Sequence, residues 1–178
     1  AERFVDQRPV LGKENGYQHL WLDARSQAGS DPRTLAWLLD GRFYSYRFGS
    51  SAPSQALLVE SGATDPEFNL RRAPALVQRV DGQRAVSFFS VLEPHGEYNG
   101  TAEYVHGADS QIRDLKRARG SDAELVELTL ASGARIALGV ADDSSADVEH
   151  TVSVEGRSYR WRGSHARIDR AAGKGDAR

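Results

Sequence analysis

The chain has 178 residues, of which 39% are apolar and 27% charged, and its net charge is −2. That length can bury a sizeable single core, and so balanced a charge leaves no global electrostatic case for nucleic acid or a membrane surface as partner. Cysteine is absent, which removes disulfides, zinc–thiolate sites and cysteine nucleophiles, and no apolar run approaches the ~18 residues of a transmembrane helix.

The chain opens on Ala-Glu-Arg without a secretory signal pattern and contains no Met, so it reads as a mature or internal piece of a longer protein. Residues 1–16 form an irregular lead-in punctuated by Pro9, Gly12 and Gly16. Tyr17–Ala24 predicts a strand with Tyr17, His19, Trp21 and Asp23 on one face. A turn cluster at Ala28–Pro32 follows. Leu35–Leu39 and Arg42–Phe48 flank Asp40-Gly41, a strong hairpin dipeptide. Ala56–Glu60 predicts another strand, and Gly62–Leu70 a long polar loop. Ala75–Val80 and Ala85–Leu92 flank Asp81-Gly82, a second hairpin signal.

Ala85–Leu92 carries apolar residues on both parities, which predicts an inner strand buried on both sides. Pro94 cannot donate to a ladder and Gly96 permits unusual torsions, so this strand is expected to stop there. Short strands are then expected at Ala102–Val105, Gln111–Arg119, Ala123–Ala131, Ala134–Val140, Thr151–Val154 and Arg157–Trp161, with reversals at Ser132-Gly133 and Glu155-Gly156. Ile112, Leu115 and Lys116 also have helical spacing, but their context favours a strand. The tail Arg170–Arg178 has no apolar residue larger than Ala and reads as frayed. Many short strands with turn signals every 8–12 residues predict an all-β fold, an antiparallel β-sandwich. One sandwich domain over residues 1–170 and a disordered tail over 171–178 are expected.

Glu93-Pro-His-Gly-Glu-Tyr-Asn99 gathers two carboxylates, an imidazole, a phenol and an amide beyond a strand end. His95 can act as acid or base near neutral pH, or neutralise a substrate carboxylate when protonated. Tyr98 can donate a proton if a cation lowers its pKa, and Glu93 and Glu97 can orient His95 or accept sugar hydroxyls. Equally, His95 can simply tie the strand end to its neighbour. Arg71 and Arg72 supply paired guanidinium forks that match a carboxylate, or they are solvated turn residues. Tyr17, His19 and Trp21 form either core or a sugar-stacking face. His19, His95, His106, His150 and His165 show no HxH or HxxxH spacing, so there is no zinc signature. Arg113, Lys116, Arg117 and Arg119 read as a solvated face, and no nucleophile elbow is present.

Four phrases occur in order: Gly16-Tyr-Gln-His-Leu-Trp-Leu-Asp-Ala24, Asp40-Gly-Arg-Phe-Tyr44, Gly62-Ala-Thr-Asp-Pro-Glu-Phe-Asn-Leu-Arg71 and Ser90-Val-Leu-Glu-Pro-His-Gly-Glu-Tyr98. Together they resemble the C-terminal region of the heparinase II/III-like polysaccharide lyases, most closely the oligoalginate lyases of polysaccharide lyase family 17. The resemblance covers roughly residues 1–140. It implies a bacterial, periplasmic or secreted enzyme in which an N-terminal α/α toroid precedes a large antiparallel β-sandwich, with the cleft between them. It also implies β-elimination at a uronate of alginate or a related oligouronate. In that scheme a base removes the C5 proton, Asn and His neutralise the carboxylate, and a Tyr protonates O4. The family's catalytic Asn, His and Tyr lie on the toroid, and its zinc motifs lie earlier in the sandwich. Neither pattern occurs here, so the chain looks like the latter half of the sandwich and carries no catalytic or metal residue of its own. A structural zinc is implied only for the full-length enzyme. His95, Glu97, Tyr98 and Arg71 are the expected substrate contacts. Two rival readings are a non-catalytic carbohydrate-binding sandwich, with Trp21, Trp37 or Tyr46 stacking on sugar rings, and a structural module that braces the toroid.

Overall fold

The structure is a computed structural model, and it describes residues 21–27, 31–62, 72–143, 145 and 147–172. These form thirteen strands and no helix: β1 (Trp21–Gln27), β2 (Arg33–Leu39), β3 (Arg42–Ser50), β4 (Gln55–Gly62), β5 (Arg72–Arg79), β6 (Phe88–Asn99), β7 (Tyr104–His106), β8 (Ile112–Arg119), β9 (Ala123–Leu130), β10 (Arg135–Ala141), β11 (Glu149–Val154), β12 (Arg157–Arg162) and β13 (His165–Arg170). Every pairing is antiparallel, as the alternating sequence pattern requires. None of the described residues lies in a helix long and apolar enough to cross a membrane. The chain divides into two compact units, residues 1–31 with 52–87, and residues 32–51 with 88–178.

The first unit holds a three-stranded sheet in the order β1-β4-β5. Ala56 and Leu57 of its central strand are buried. The Ser54 hydroxyl donates to Asp31 (3.1 Å) and accepts from the Gln78 amide (3.0 Å). The expected Asp81-Gly82 hairpin does not form. β5 pairs with β4, whereas β6 joins a different sheet beside β3. Gly82 does take a positive φ of 71°, but the turn lacks paired strands on its two sides, so the dipeptide only bends a connection. Tyr17, His19 and the 62–70 loop, apart from Gly62 itself, lie outside the described residues.

The second unit is layered. Its middle sheet runs β13-β10-β9-β8. Alternation along β9 sends Ala123 and Leu125 to one face, where with Ala137 they pack against Val152, Val154, Tyr159 and Trp161 of the β11–β12 hairpin. The opposite face presents Ile112, Leu115 and Leu128 to Phe89 and Val91 of β6. β6 belongs to a second four-stranded sheet, β2-β3-β6-β7. Covering both faces of β9 explains why both its parities are apolar. The segment 112–119 is a strand rather than a helix, and three of its four basic residues are spent in ion pairs. Lys116 meets Glu155, Arg117 meets Glu124 (2.6 Å), and Arg119 meets Asp142.

Three further expectations are corrected. β6 is half-buried on one face only: Phe89, Val91, Glu93 and His95 are covered, while Phe88 and Leu92 are 55% and 53% exposed. It also runs on through Pro94 and Gly96. Pro94 is tolerated because β7 reaches only residues 97–99 of β6, so at Pro94 the strand has a single neighbour and needs no second donor. Gly96 is the extra residue of a β-bulge, between the pairs Arg42–Glu97 and Phe43–His95. Finally, Arg170 is held at the end of β13, a strand the sequence did not announce. It donates to the Ser158 carbonyl (2.5 Å) and lies 4.2 Å over the Tyr159 ring.

Candidate functional site

At one end of the β2-β3-β6-β7 sheet, two sharp backbone features bring polar side chains together. Asp40 and Gly41 both have positive φ, 50° and 73°, and Leu39 pairs directly with Arg42. This two-residue turn is the type whose twist matches paired strands. A Cβ on Gly41 would stand 2.8 Å from the Tyr98 carbonyl oxygen, and the Tyr98 N–H donates to the Gly41 carbonyl at 2.7 Å. The turn is thereby clamped onto β6. On β6 the bulge at Gly96 (φ 51°) re-aims the residues that follow, and a Cβ there would fall 2.1 Å from the Gly107 carbonyl oxygen. Beyond it Glu97, Tyr98 and Asn99 pair with His106, Val105 and Tyr104 of β7. The Asn99 side-chain oxygen accepts the N–H groups of Thr101 and Ala102 (3.0 and 3.1 Å), which closes the β6–β7 turn.

The result is an open cavity of about 550 Å³ lined by Asp40, Gly41, Arg42, Glu97, Tyr98, Asn99, Gly100 and Tyr104. Among the described residues, Arg42 and Glu97 make no side-chain hydrogen bond or ion pair, although they are cross-strand partners. Tyr98 and Tyr104 are 41% and 46% exposed, with their hydroxyls uncommitted. One guanidinium fork, the Asp40 and Glu97 carboxylates and two phenols are therefore available to a ligand, the fork matching a carboxylate and the two carboxylates accepting from hydroxyls.

The expected contacts divide. Glu97 and Tyr98 line the cavity. His95 stands behind it with both ring nitrogens occupied: Nδ1 meets the Gly107 carbonyl at 3.0 Å and Nε2 meets the Ser45 hydroxyl at 2.9 Å. This pattern is the tautomer with Nδ1 donating, and the ring also stacks on Phe43, 6.1 Å between centroids. Glu93 is likewise spent, accepting from the Ser110 hydroxyl (2.5 Å) and the Gln111 N–H (2.8 Å). Arg71 lies outside the described residues. Arg42, Asp40 and Tyr104 were not anticipated. The Asp-Gly-Arg order pointed to Arg42 as first residue of a strand, but the pairing of β3 with β6 that sets it opposite Glu97 joins residues 55 positions apart.

A second cluster uses the same residue types differently. Glu127, 1% exposed, receives Arg157 through two hydrogen bonds, 2.7 and 3.1 Å, together with the Tyr159 hydroxyl. Burial alone would raise the Glu127 pKa, but the Arg157 and Tyr159 hydrogen bonds outweigh it and hold the carboxyl below its ordinary range. Burial, then the Glu127 carboxylate, pushes the Tyr159 phenol up. Nearby, the fully buried His150 meets Asp122 at 2.8 Å, and that contact draws the Asp122 carboxyl down. Among the described residues no group of three or more His, Asp or Glu is placed to hold a metal ion.

No protein-family model matches the chain. The chain is 78% identical over 175 residues, 98% of its length, to an alginate lyase of Stenotrophomonas maltophilia (strain K279a). It is 38% identical over 157 residues, 86% of its length, to an exo-oligoalginate lyase of Saccharophagus degradans. These alignments cover 24% and 21% of those two proteins. The chain therefore spans about a quarter of the length of the curated relatives it matches, and over that quarter it is similar to alginate-degrading lyases.

Proposed function

We propose that this chain is the C-terminal β portion of an alginate lyase of the heparinase II/III-like type, cleaving oligouronates by β-elimination. The observation that carries the reading is 78% identity over nearly the whole chain to an alginate lyase. In β-elimination a base takes the C5 proton, the C4–O4 bond breaks as the C4–C5 double bond forms, and a proton passes to the departing O4. The acid and base belong to a part of the enzyme outside this chain, on an α/α toroid. The role of this chain is to complete the wall of the cleft. Arg42 pairs with a uronate carboxylate, Glu97 accepts sugar hydroxyls, and Tyr98 and Tyr104 donate to ring or hydroxyl oxygens. His95 acts as a positioning residue, holding β6 to Ser45 and Gly107 so that the bulge keeps its shape. A structural zinc does not fit the described residues, since no three His, Asp or Glu side chains come together there to hold it. It would be held by another part of the enzyme. Export to the periplasm or beyond the cell follows from the same reading.

The test is turnover of alginate oligomers by the full-length enzyme, followed by the ultraviolet absorbance of the unsaturated product. Arg42→Ala and Glu97→Gln are each expected to raise KM at least tenfold while leaving the fold intact. Wild-type KM in both variants removes the cavity from the substrate path.

A further inference from the structure

Beside the cavity, on the same face of the sheet, lies an aromatic row. Register sets Leu39, Arg42 and Glu97 side by side across β2, β3 and β6, with His106 next on β7. Two residues further from the turn, Trp37, Tyr44 and Pro94 form the neighbouring row. Strand geometry separates such rows by roughly 6.6 Å, a span that two linked sugar rings can bridge. A polar row and an aromatic row thus lie side by side.

The aromatic row has the character of a ligand platform. Trp37 is 39% exposed although it is the largest side chain of β2. Its ring is stacked on Tyr44, with centroids 5.6 Å apart and planes 10° from parallel, so its orientation is set before anything binds. Aromatic side chains of this kind give large contact areas at low conformational cost. An oligouronate has the complementary pattern, an apolar C–H ring face and one carboxylate on every residue. The uncommitted Arg42 guanidinium in the adjoining row supplies the matching charge.

We propose that Trp37 and Tyr44 form a second sugar subsite contiguous with the Arg42–Glu97 cavity, so that the chain holds two consecutive uronates, one by its carboxylate and the next by its ring face. This deepens the oligouronate reading and rests on it. The pair serves positioning and chain-length preference; no proton is transferred there.

The experiment compares KM for uronate dimer, trimer and tetramer in the full-length enzyme and in Trp37→Ala and Trp37→Phe. A dimer is cleaved between its two sugars, so with the Arg42–Glu97 cavity taking the sugar beside the broken bond it does not reach Trp37; loss of stacking should therefore raise the tetramer KM about tenfold in Trp37→Ala, with kcat and the dimer KM unchanged and with Trp37→Phe close to wild type. Equal KM values for every length in wild type and Trp37→Ala overturn the subsite. So does a loss that is equal for dimer and tetramer, which marks a structural role. A change of oligomeric state in Trp37→Ala, by size-exclusion chromatography with light scattering and without a length-dependent KM effect, assigns the face to a second copy and also overturns it. Failure of the lyase reading is separate: the wild-type enzyme would then release no unsaturated product from any oligomer.

Discussion

Two clusters in this molecule are built from the same three residue types. Glu127 and Tyr159 are buried between β9 and β12 and are satisfied by each other and by the half-buried Arg157. Glu97, Arg42 and Tyr98 meet at a sheet end, and among the described residues their side chains make no hydrogen bond or ion pair. The contrast is one of solvent. A carboxylate taken out of water must find cations and donors inside the fold, or it costs several kcal/mol. A carboxylate in an open cavity keeps its water and can exchange it for a ligand. Chemistry that is fully spent stabilises the fold, and chemistry left unspent is free to act on a ligand.

Substitutions can break this comparison in order of expected effect. Glu127→Ala leaves the buried Tyr159 hydroxyl without its acceptor and Arg157 with only Glu155, and should destabilise by about 3–5 kcal/mol in urea or thermal unfolding. Gly96→Ala forces a side chain onto the Gly107 carbonyl at positive φ and should cost about 3 kcal/mol while also deforming the cavity. Tyr159→Phe removes one donor and leaves the Arg157 fork in place, for a loss of about 1–2 kcal/mol. Arg42→Ala and Glu97→Gln should change stability by less than about 0.5 kcal/mol, their effect falling on oligouronate KM. A large stability loss in the last pair would erase the distinction between the two clusters.

A pH titration sharpens the same point. The folded-state pKa of Glu127 is depressed, so its stabilisation is fully present above the unfolded value of ~4.3 and is lost as pH falls through the lower folded value. Wild-type stability should therefore drop in that acidic window, and Glu127→Gln should show a flatter profile there. An identical slope in both proteins would mean that the Arg157 fork does not control this carboxyl.

Much of the second unit was legible beforehand. The Asp40-Gly41 and Glu155-Gly156 turns announce themselves because only residues tolerant of positive φ suit a two-residue hairpin, and both pairs have it here. The strands from Ile112 to Arg162 follow from alternation and closely spaced turns. β13 was missed because Ala166 and Ile168 are its only apolar residues, too weak a stripe among His165, Arg167 and Asp169. Asp81-Gly82 misled because a turn dipeptide specifies a reversal but not that the flanking strands pair with each other. Pro94 and Gly96 misled in the opposite sense, since a strand can pass both residues where one side lacks a neighbour and the other side carries a bulge.

Local chemistry alone determined the all-β class and the Asp40-Gly41 and Glu155-Gly156 turns, and it put Glu97 and Tyr98 in a loop beyond a strand that in fact runs through them. These follow from torsional preference and side-chain alternation, which act over a few residues. Only tertiary structure decided that His95 is held between Ser45 and Gly107, that Arg42 stands opposite Glu97, and that Glu127 is buried against Arg157. Each of those depends on which strands become neighbours. That choice is made by burying the faces of β9 against β6 on one side and the β11–β12 hairpin on the other.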